Sequence, residues 1–268
     1  MDMPRLGQGT WNLGDSAARR KEEIAALRTG IALGMTLIDT AEMYGDGRSE
    51  SLVAEAIAGQ REKVFLVTKV LPQNASREGV VRSCEASLKR LKSDRVELYL
   101  LHWPGSYPLE ETVRGFEDLL AAGKIRSWGV SNLDLAEMKQ LLALPGGRAC
   151  VANQVLFNLS RRGIEFDLLP WCLEQGIAVM AYSPVEQGRI LGHKVLKQVA
   201  QRLGATPAQV ALAWTLRQEG VLSIPKAGTV AHVRENRKAL DLKLDVDALN
   251  ALDAAFPPPT KARSLEML

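Results

Sequence analysis

The feature that most constrains this chain is the way two apolar periodicities alternate along it. Short runs rich in Val, Ile and Leu recur at residues 35–39, 64–69, 96–102, 125–131, 149–154, 177–182 and 221–225, with a weaker one at 6–10. Stretches with helical spacing lie between them at 21–33, 50–58, 76–91, 109–122, 134–144, 166–175, 196–203 and 208–217, and one more follows at 230–240. Gly34, Gly123, Pro145 and Gly176 close four of these helices, and Ser49 is placed to cap the one at 50–58.

Strands that alternate with helices pair in parallel through right-handed crossovers. A doubly wound sheet and a closed barrel both satisfy that rule. About eight units in 268 residues favour the barrel. So does the missing dinucleotide fingerprint: in GQGTWNLG the third glycine, Gly14, is misplaced, and Trp11 could not sit against a pyrophosphate turn. The expected fold class is therefore α/β, a (β/α)8 TIM barrel forming a single domain over residues 1–268, with an irregular tail at 257–268.

Lys plus Arg number 34 against 31 Asp plus Glu, a formal charge of +3, and no basic run stands out, so no nucleic-acid partner is expected. The start, MDMPRLGQG, does not read as a signal peptide, and no apolar run approaches the ~20 residues of a membrane span. Cys84, Cys150 and Cys172 form no CxxC motif and read as small buried thiols. No His, Cys and carboxylate spacing suggests a metal site. These features give a cytoplasmic protein without a membrane partner, a monomer or weak oligomer. Trp128, Trp171 and Trp214 read as core, and His193, in a glycine-flanked loop, as solvated.

Chemistry in such a barrel gathers where the strands end. The runs end in Asp39, Lys69, His102, Ser131 with Asn132, Gln154, Tyr182 with Ser183, and Lys226. A single polar strand end is unremarkable, because strands meet water there. Seven around one mouth, with Asp, Lys and His on successive strands, form a set. Tyr44 follows Asp39 by five residues. A free tyrosine holds its proton with a pKa near ~10, and a nearby ammonium lowers it. Asp39 can be the counter-charge that keeps Lys69 protonated, and His102 can hydrogen-bond a carbonyl oxygen. Such a set suits protonation of a carbonyl oxygen as a hydride reaches its carbon, a positioned acid contributing ~10²–10⁴ in rate. The hydride must come from a nicotinamide cofactor.

Nine ordered motifs carry a resemblance over nearly the whole chain: GQGTW at 7–11, DTAEMYG at 39–45, TK at 68–69, LLHWP at 100–104, GVSN at 129–132, NQV at 153–155, AYSP at 181–184, IPKAGT at 224–229 and REN at 234–236. The chain resembles the aldo-keto reductase superfamily, and within it the bacterial methylglyoxal-reductase branch. The resemblance implies a barrel that binds NADPH in extended form, with NADH possible, and reduces small carbonyl substrates, aldehydes and ketoaldehydes, to alcohols. It makes Tyr44 the proton donor, Asp39 and Lys69 its tuning pair and His102 the residue that orients the carbonyl. Ser131, Asn132 and Gln154 match holders of the nicotinamide carboxamide, and Tyr182 the ring stacked on it. Gly9, Thr10, Trp11, Ser183, Pro184, Ile224, Pro225 and Ala227 belong to the same cofactor-side motifs. Lys226 matches the cation at the 2′-phosphate, with Thr229, His232, Glu235 and Asn236 nearby. Trp11 and Trp103 match the walls of the substrate pocket, beside Tyr44 and His102.

Three departures accompany the resemblance. His232 stands where many members have an arginine, and a neutral imidazole cannot replace a guanidinium fork, which leaves the NADPH preference open. The stretch VEQGRILGHKVL after AYSP is short for a loop that covers the pyrophosphate, which implies faster cofactor release. The chain also starts close to the first strand, so the usual hairpin under the barrel would be partly missing. A sugar-ketone reductase of the diketogluconate type and a nucleotide-binding sensor or regulatory subunit remain alternative readings.

Overall fold

A computed structural model describes residues 3–268. Eight strands run in sequence order: β1 (Gln8–Gly9), β2 (Leu37–Asp39), β3 (Phe65–Val70), β4 (Leu98–Leu101), β5 (Trp128–Ser131), β6 (Cys150–Leu156), β7 (Ala178–Tyr182) and β8 (Val221–Ser223). Each pairs in parallel with the next. Parallel bridges Leu6 to Ser223 and Gly9 to Lys226 join the two ends and close the barrel. The Gly7 amide donates to Ser223 O at 2.8 Å and the Gly9 amide to Pro225 O at 3.1 Å. This seam explains Gly9: a Cβ there would lie 2.7 Å from Ile224 O.

Helices α1 (Arg20–Ala32), α2 (Arg48–Ile57), α3 (Arg77–Leu91), α4 (Leu109–Ala121), α5 (Leu135–Ala143) and α6 (Leu168–Glu174) each follow one of the first six strands. α7 (Lys194–Arg202) and α8 (Pro207–Thr215) follow β7, and α9 (Val230–Arg237) follows β8. The last helix, α10 (Val246–Ala255), departs from the sequence expectation. Its signal was Asp245, whose carboxylate accepts the Ala248 amide at 2.8 Å as an N-cap. Its apolar face is narrow, with Ala248 and Leu252 buried, and it packs on α7. α2 also starts differently. Gly47, at φ 84, is its N-cap, because the Ser49 hydroxyl is committed to Thr10 Oγ1 at 2.8 Å.

The strands sort their side chains by the two-residue pleat. Leu37, Phe65, Val67, Leu98, Leu100, Ala152, Met180, Leu222 and Ile224 fill the barrel interior. Ile38, Leu66, Tyr99, Leu101, Val130, Val155 and Val179 face outward into the layer under the helices. Trp128 and Trp214 are fully buried in that outer layer, with Trp171 half-buried against it. Met3 packs on the inner cluster, and among the described residues no hairpin precedes β1. No helix among them is long and apolar enough to cross a membrane, and no cluster of His, Cys, Asp and Glu could hold a metal. The three cysteines are free and buried; burial pushes each thiol up to about 12.

Candidate active site

The inward side of each strand passes from apolar to polar at its C-terminal end. Two residues after an interior side chain comes a polar one: Asp39 after Leu37, Lys69 after Val67, His102 after Leu100, Gln154 after Ala152, Tyr182 after Met180. The pleat therefore aims them all into one mouth.

Lys69 is fully buried. Its Nζ donates to Asp39 Oδ2 at 2.9 Å, to Thr40 O at 2.8 Å and to the Tyr44 hydroxyl at 3.2 Å. Asp39 Oδ1 accepts Gln154 Nε2 at 2.8 Å. A buried ion pair is stable only when its remaining polar atoms are also satisfied, and here both partners are. Tyr44 reaches the pair from a tight loop. Its amide donates to Ala41 O at 3.1 Å, and Gly45, Asp46 and Gly47 all turn with positive φ (56°, 50° and 84°) into α2. The Tyr44 ring meets His102 edge-on at 5.8 Å, and His102 lies 4.8 Å from Trp103.

The charge states follow from these contacts. Burial alone would lower Lys69, but Asp39 and Tyr44 outweigh it and hold its pKa above the usual 10.5, so it stays an ammonium. Burial raises Tyr44 above 10.0. Lys69 pulls it down, as the sequence predicts, but does not reverse the direction. The phenol therefore keeps its proton at neutral pH. Burial, then Lys69, drives His102 down to about 2, so its ring is neutral. Its Nδ1 is buried without a protein partner.

Beside this set, the Ser131 hydroxyl donates to Gln154 O at 2.8 Å. Asn132, at φ 60, donates from Nδ2 to His102 O at 3.1 Å and accepts the Tyr182 hydroxyl at 3.1 Å. Burial pushes Tyr182 up to about 12. A cavity of about 750 Å³ runs from Tyr44, His102, Trp11 and Trp103 past these residues to Lys226, His232, Glu235 and Asn236. Gly9, Thr10, Asp39, Ser183, Pro184, Ile224 and Pro225 also line it. Thus most of the expected site residues share one cavity. Lys69, Ala227 and Thr229 do not line it: Lys69 and Ala227 are buried, and the Thr229 hydroxyl caps α9 by accepting the His232 amide at 3.3 Å.

Asn12, Met43 and Ala208, which the sequence did not single out, complete the lining with Val185, Gln187, Gly188 and Leu191 of the loop after AYSP and with Met267 and Leu268. The last two come from the irregular tail. Arg161 Nη1 donates to Glu266 at 2.7 Å, and the Leu268 amide reaches the Tyr182 hydroxyl at 3.4 Å. The short loop after β7 turns through three successive positive φ values at Glu186, Gln187 and Gly188. Asn158, Arg161 and Arg189 hold the buried Glu186 carboxylate. His193, expected to be solvated, instead packs at 4.5 Å on Phe256, an aromatic next to the unforeseen α10.

The cavity suits an extended dinucleotide. Its volume lies within the ~300–1,000 Å³ of small-molecule and cofactor sites. Carboxamides, a hydroxyl and an aromatic ring stand next to the acid at one end, and at the other an exposed ammonium, Lys226, makes no ion pair among the described residues. A closed eight-stranded barrel with a tyrosine, lysine, aspartate and histidine at its mouth defines a barrel-type oxidoreductase. Residues 5–256 match the Aldo/keto reductase family, and the chain belongs to it.

The chain is 53% identical over 273 residues to methylglyoxal reductase YeaE of Escherichia coli (strain K12), covering 100% of this chain and 96% of that protein. It is 33% identical to glyoxal reductase of Bacillus subtilis (strain 168), covering 95% of this chain and 89% of that one. Among solved structures it resembles an aldo/keto reductase from Klebsiella pneumoniae in complex with NADP and acetate, at a TM-score of 0.98 and 49% identity, over 99% of this chain and 96% of that one.

Proposed function

We propose that this protein is an NADPH-dependent reductase that converts aldehydes and small ketoaldehydes, methylglyoxal among them, to alcohols. The observation that carries the reading is the contact chain Asp39–Lys69–Tyr44 at one end of a cavity whose other end presents Lys226. The similarity to methylglyoxal and glyoxal reductases supports the substrate class, and the NADP-bound neighbour supports the cofactor. We place the protein in the cytoplasm, as a monomer or weak oligomer acting without nucleic acid or membrane.

In this reading Ser131, Asn132 and Gln154 hold the nicotinamide carboxamide, Tyr182 supports the ring, and Lys226 meets the 2′-phosphate. When bound, the reduced nicotinamide supplies the hydride. Trp11 and Trp103 flank the carbonyl substrate, and its oxygen lies against the Tyr44 hydroxyl and His102. His102 is neutral, so it orients that oxygen by a hydrogen bond without adding charge. As negative charge grows on the oxygen, Tyr44 gives up its proton to it, and Lys69 stabilises the phenolate left behind. Asp39 keeps Lys69 charged throughout.

The bonded Asp39–Lys69–Tyr44 set, with His102 packed edge-on against Tyr44, supports turnover over a purely regulatory nucleotide-binding role. Purified protein mixed with NADPH and methylglyoxal should consume the reduced nicotinamide, followed by its absorbance. Silence across a panel of aldehydes with both NADPH and NADH would overturn the reading and favour the regulator.

A further inference from the structure

Glu42 takes no part in the chemistry above, yet its carboxylate spans the two segments that the chemistry needs. It lies two residues before Tyr44, on the loop between β2 and α2. Its Oε1 accepts the Leu71 amide at 2.7 Å and Asn74 Nδ2 at 3.1 Å. Leu71 is two residues past Lys69, and Asn74 ends the short 3-10 turn Pro72–Asn74. The Glu42 amide also points at Lys69 O, at 3.4 Å. One residue therefore fastens the phenol-bearing loop to the segment that leaves the lysine.

The two sides of the Tyr44–Lys69 contact are held very differently. Lys69 is fixed on a strand by a buried carboxylate and a backbone carbonyl. Tyr44 sits on a loop whose next three residues are Gly45, Asp46 and Gly47, and glycine restrains a backbone least of all residues. The contact itself is 3.2 Å, at the long end of the hydrogen-bond range, so it tolerates little displacement. Bonds to a carboxylate are stronger than neutral ones, and Glu42 makes two.

We propose that Glu42 is a positioning residue for the proton donor, holding Tyr44 within reach of Lys69. The inference rests on the assignment of Tyr44 as that donor. Misplacing a reacting group by about 1 Å can cost up to ~10²-fold in rate. Glu42→Ala should lower kcat for methylglyoxal reduction by ~10-fold or more, with the NADPH dissociation constant within ~2-fold of wild type. Glu42→Gln, which keeps an acceptor oxygen, should recover most of the loss. In a Tyr44→Phe background, Glu42→Ala should lower the residual rate no further.

Asn74→Asp sets a second carboxylate against Glu42 without emptying its site, and should reproduce the kcat loss even where Glu42→Ala does not fold. An unchanged kcat in Asn74→Asp or Glu42→Ala overturns the inference. So does an equal loss in the Tyr44→Phe background, which would mean that Glu42 acts by another route. A wild-type protein that leaves NADPH intact would instead overturn the functional reading itself.

Discussion

The two ends of the cavity are built by different rules. At the reactive end Asp39 and Lys69 are buried, and protein groups hold both carboxylate oxygens and the ammonium. At the far end Lys226 and His232 are exposed on the rim, and the loop after β7, which also lines the cavity, has four residues at positive φ. The first end is preorganised by the barrel and needs no ligand to assemble it. The second presents charge to a ligand that must supply its own counter-charge. Changes at the first should therefore fall on kcat and on folding, and changes at the second on cofactor binding.

Tyr44→Phe gives the sharpest separation. It removes the proton and keeps the ring, so carbonyl reduction should fall by ~10²–10⁴ while NADPH affinity, read by fluorescence titration, changes less than ~2-fold. The wild-type pH profile tests the same assignment. A pKa raised above 10.0 keeps the phenol protonated through neutral and mildly alkaline pH, so Tyr44 should impose no loss of kcat/KM near neutrality. Near-normal turnover in the phenylalanine variant would show that the donor lies elsewhere, whereas an alkaline loss near neutral pH that the same variant abolishes would show that Lys69 lowers the Tyr44 pKa more than burial raises it.

Lys69→Met tests how deeply the reactive end is built into the fold. It leaves Asp39 buried and uncompensated, an error worth about 3–5 kcal/mol in denaturant unfolding. Adding Asp39→Asn should restore part of that stability without restoring turnover. If the single variant were as stable as wild type, the pair would not be the buried, mutually dependent unit described above.

The same contrast governs how much was legible in the sequence. Asp39, Lys69, His102 and Gln154 could be placed because a strand's two-residue alternation carries an interior position outward to its polar end. Tyr44 lies off any strand, and its position depends on a turn of glycines; the sequence offered it only as a phenol five residues after Asp39, and the resemblance gave it the donor's role. Met267 and Leu268 reach the mouth through Arg161 and Glu266, 105 residues apart, a contact that no local pattern encodes. α10 was missed because its apolar stripe is too sparse to show a period, although Asp245 marked its start. Ser49 looked like a cap by type, but its hydroxyl went to Thr10 across the fold. The chain thus announces what its backbone periodicity enforces, and hides what long-range side-chain pairing decides.

Lys226→Ala moves to the far end. The NADPH KM should rise about tenfold, as expected for loss of a charge-assisted contact, with kcat and the NADH KM little changed. His232→Arg should act in the opposite direction, increasing the preference for NADPH several-fold by supplying a planar fork for a phosphate. Equal effects on both cofactors would mean that neither residue meets the 2′-phosphate.

The smallest expected effect lies where the two ends meet. Arg161 donates to Glu266 of the tail and to Glu186 of the loop after β7, so one guanidinium touches the segment bearing Met267 and Leu268 and the segment lining the cofactor side. The Arg161–Glu266 pair is exposed, and exposed pairs contribute little, no more than ~5-fold in an equilibrium. Glu266→Gln should loosen the tail and shift the KM for a bulky aldehyde by ~2–5-fold, with Glu186 still holding Arg161 and NADPH affinity unchanged. Parallel titrations of aldehyde and cofactor decide the matter. A matching shift in NADPH affinity would show that Arg161 transmits the tail's position to the cofactor loop, and the two ends would then act as one unit.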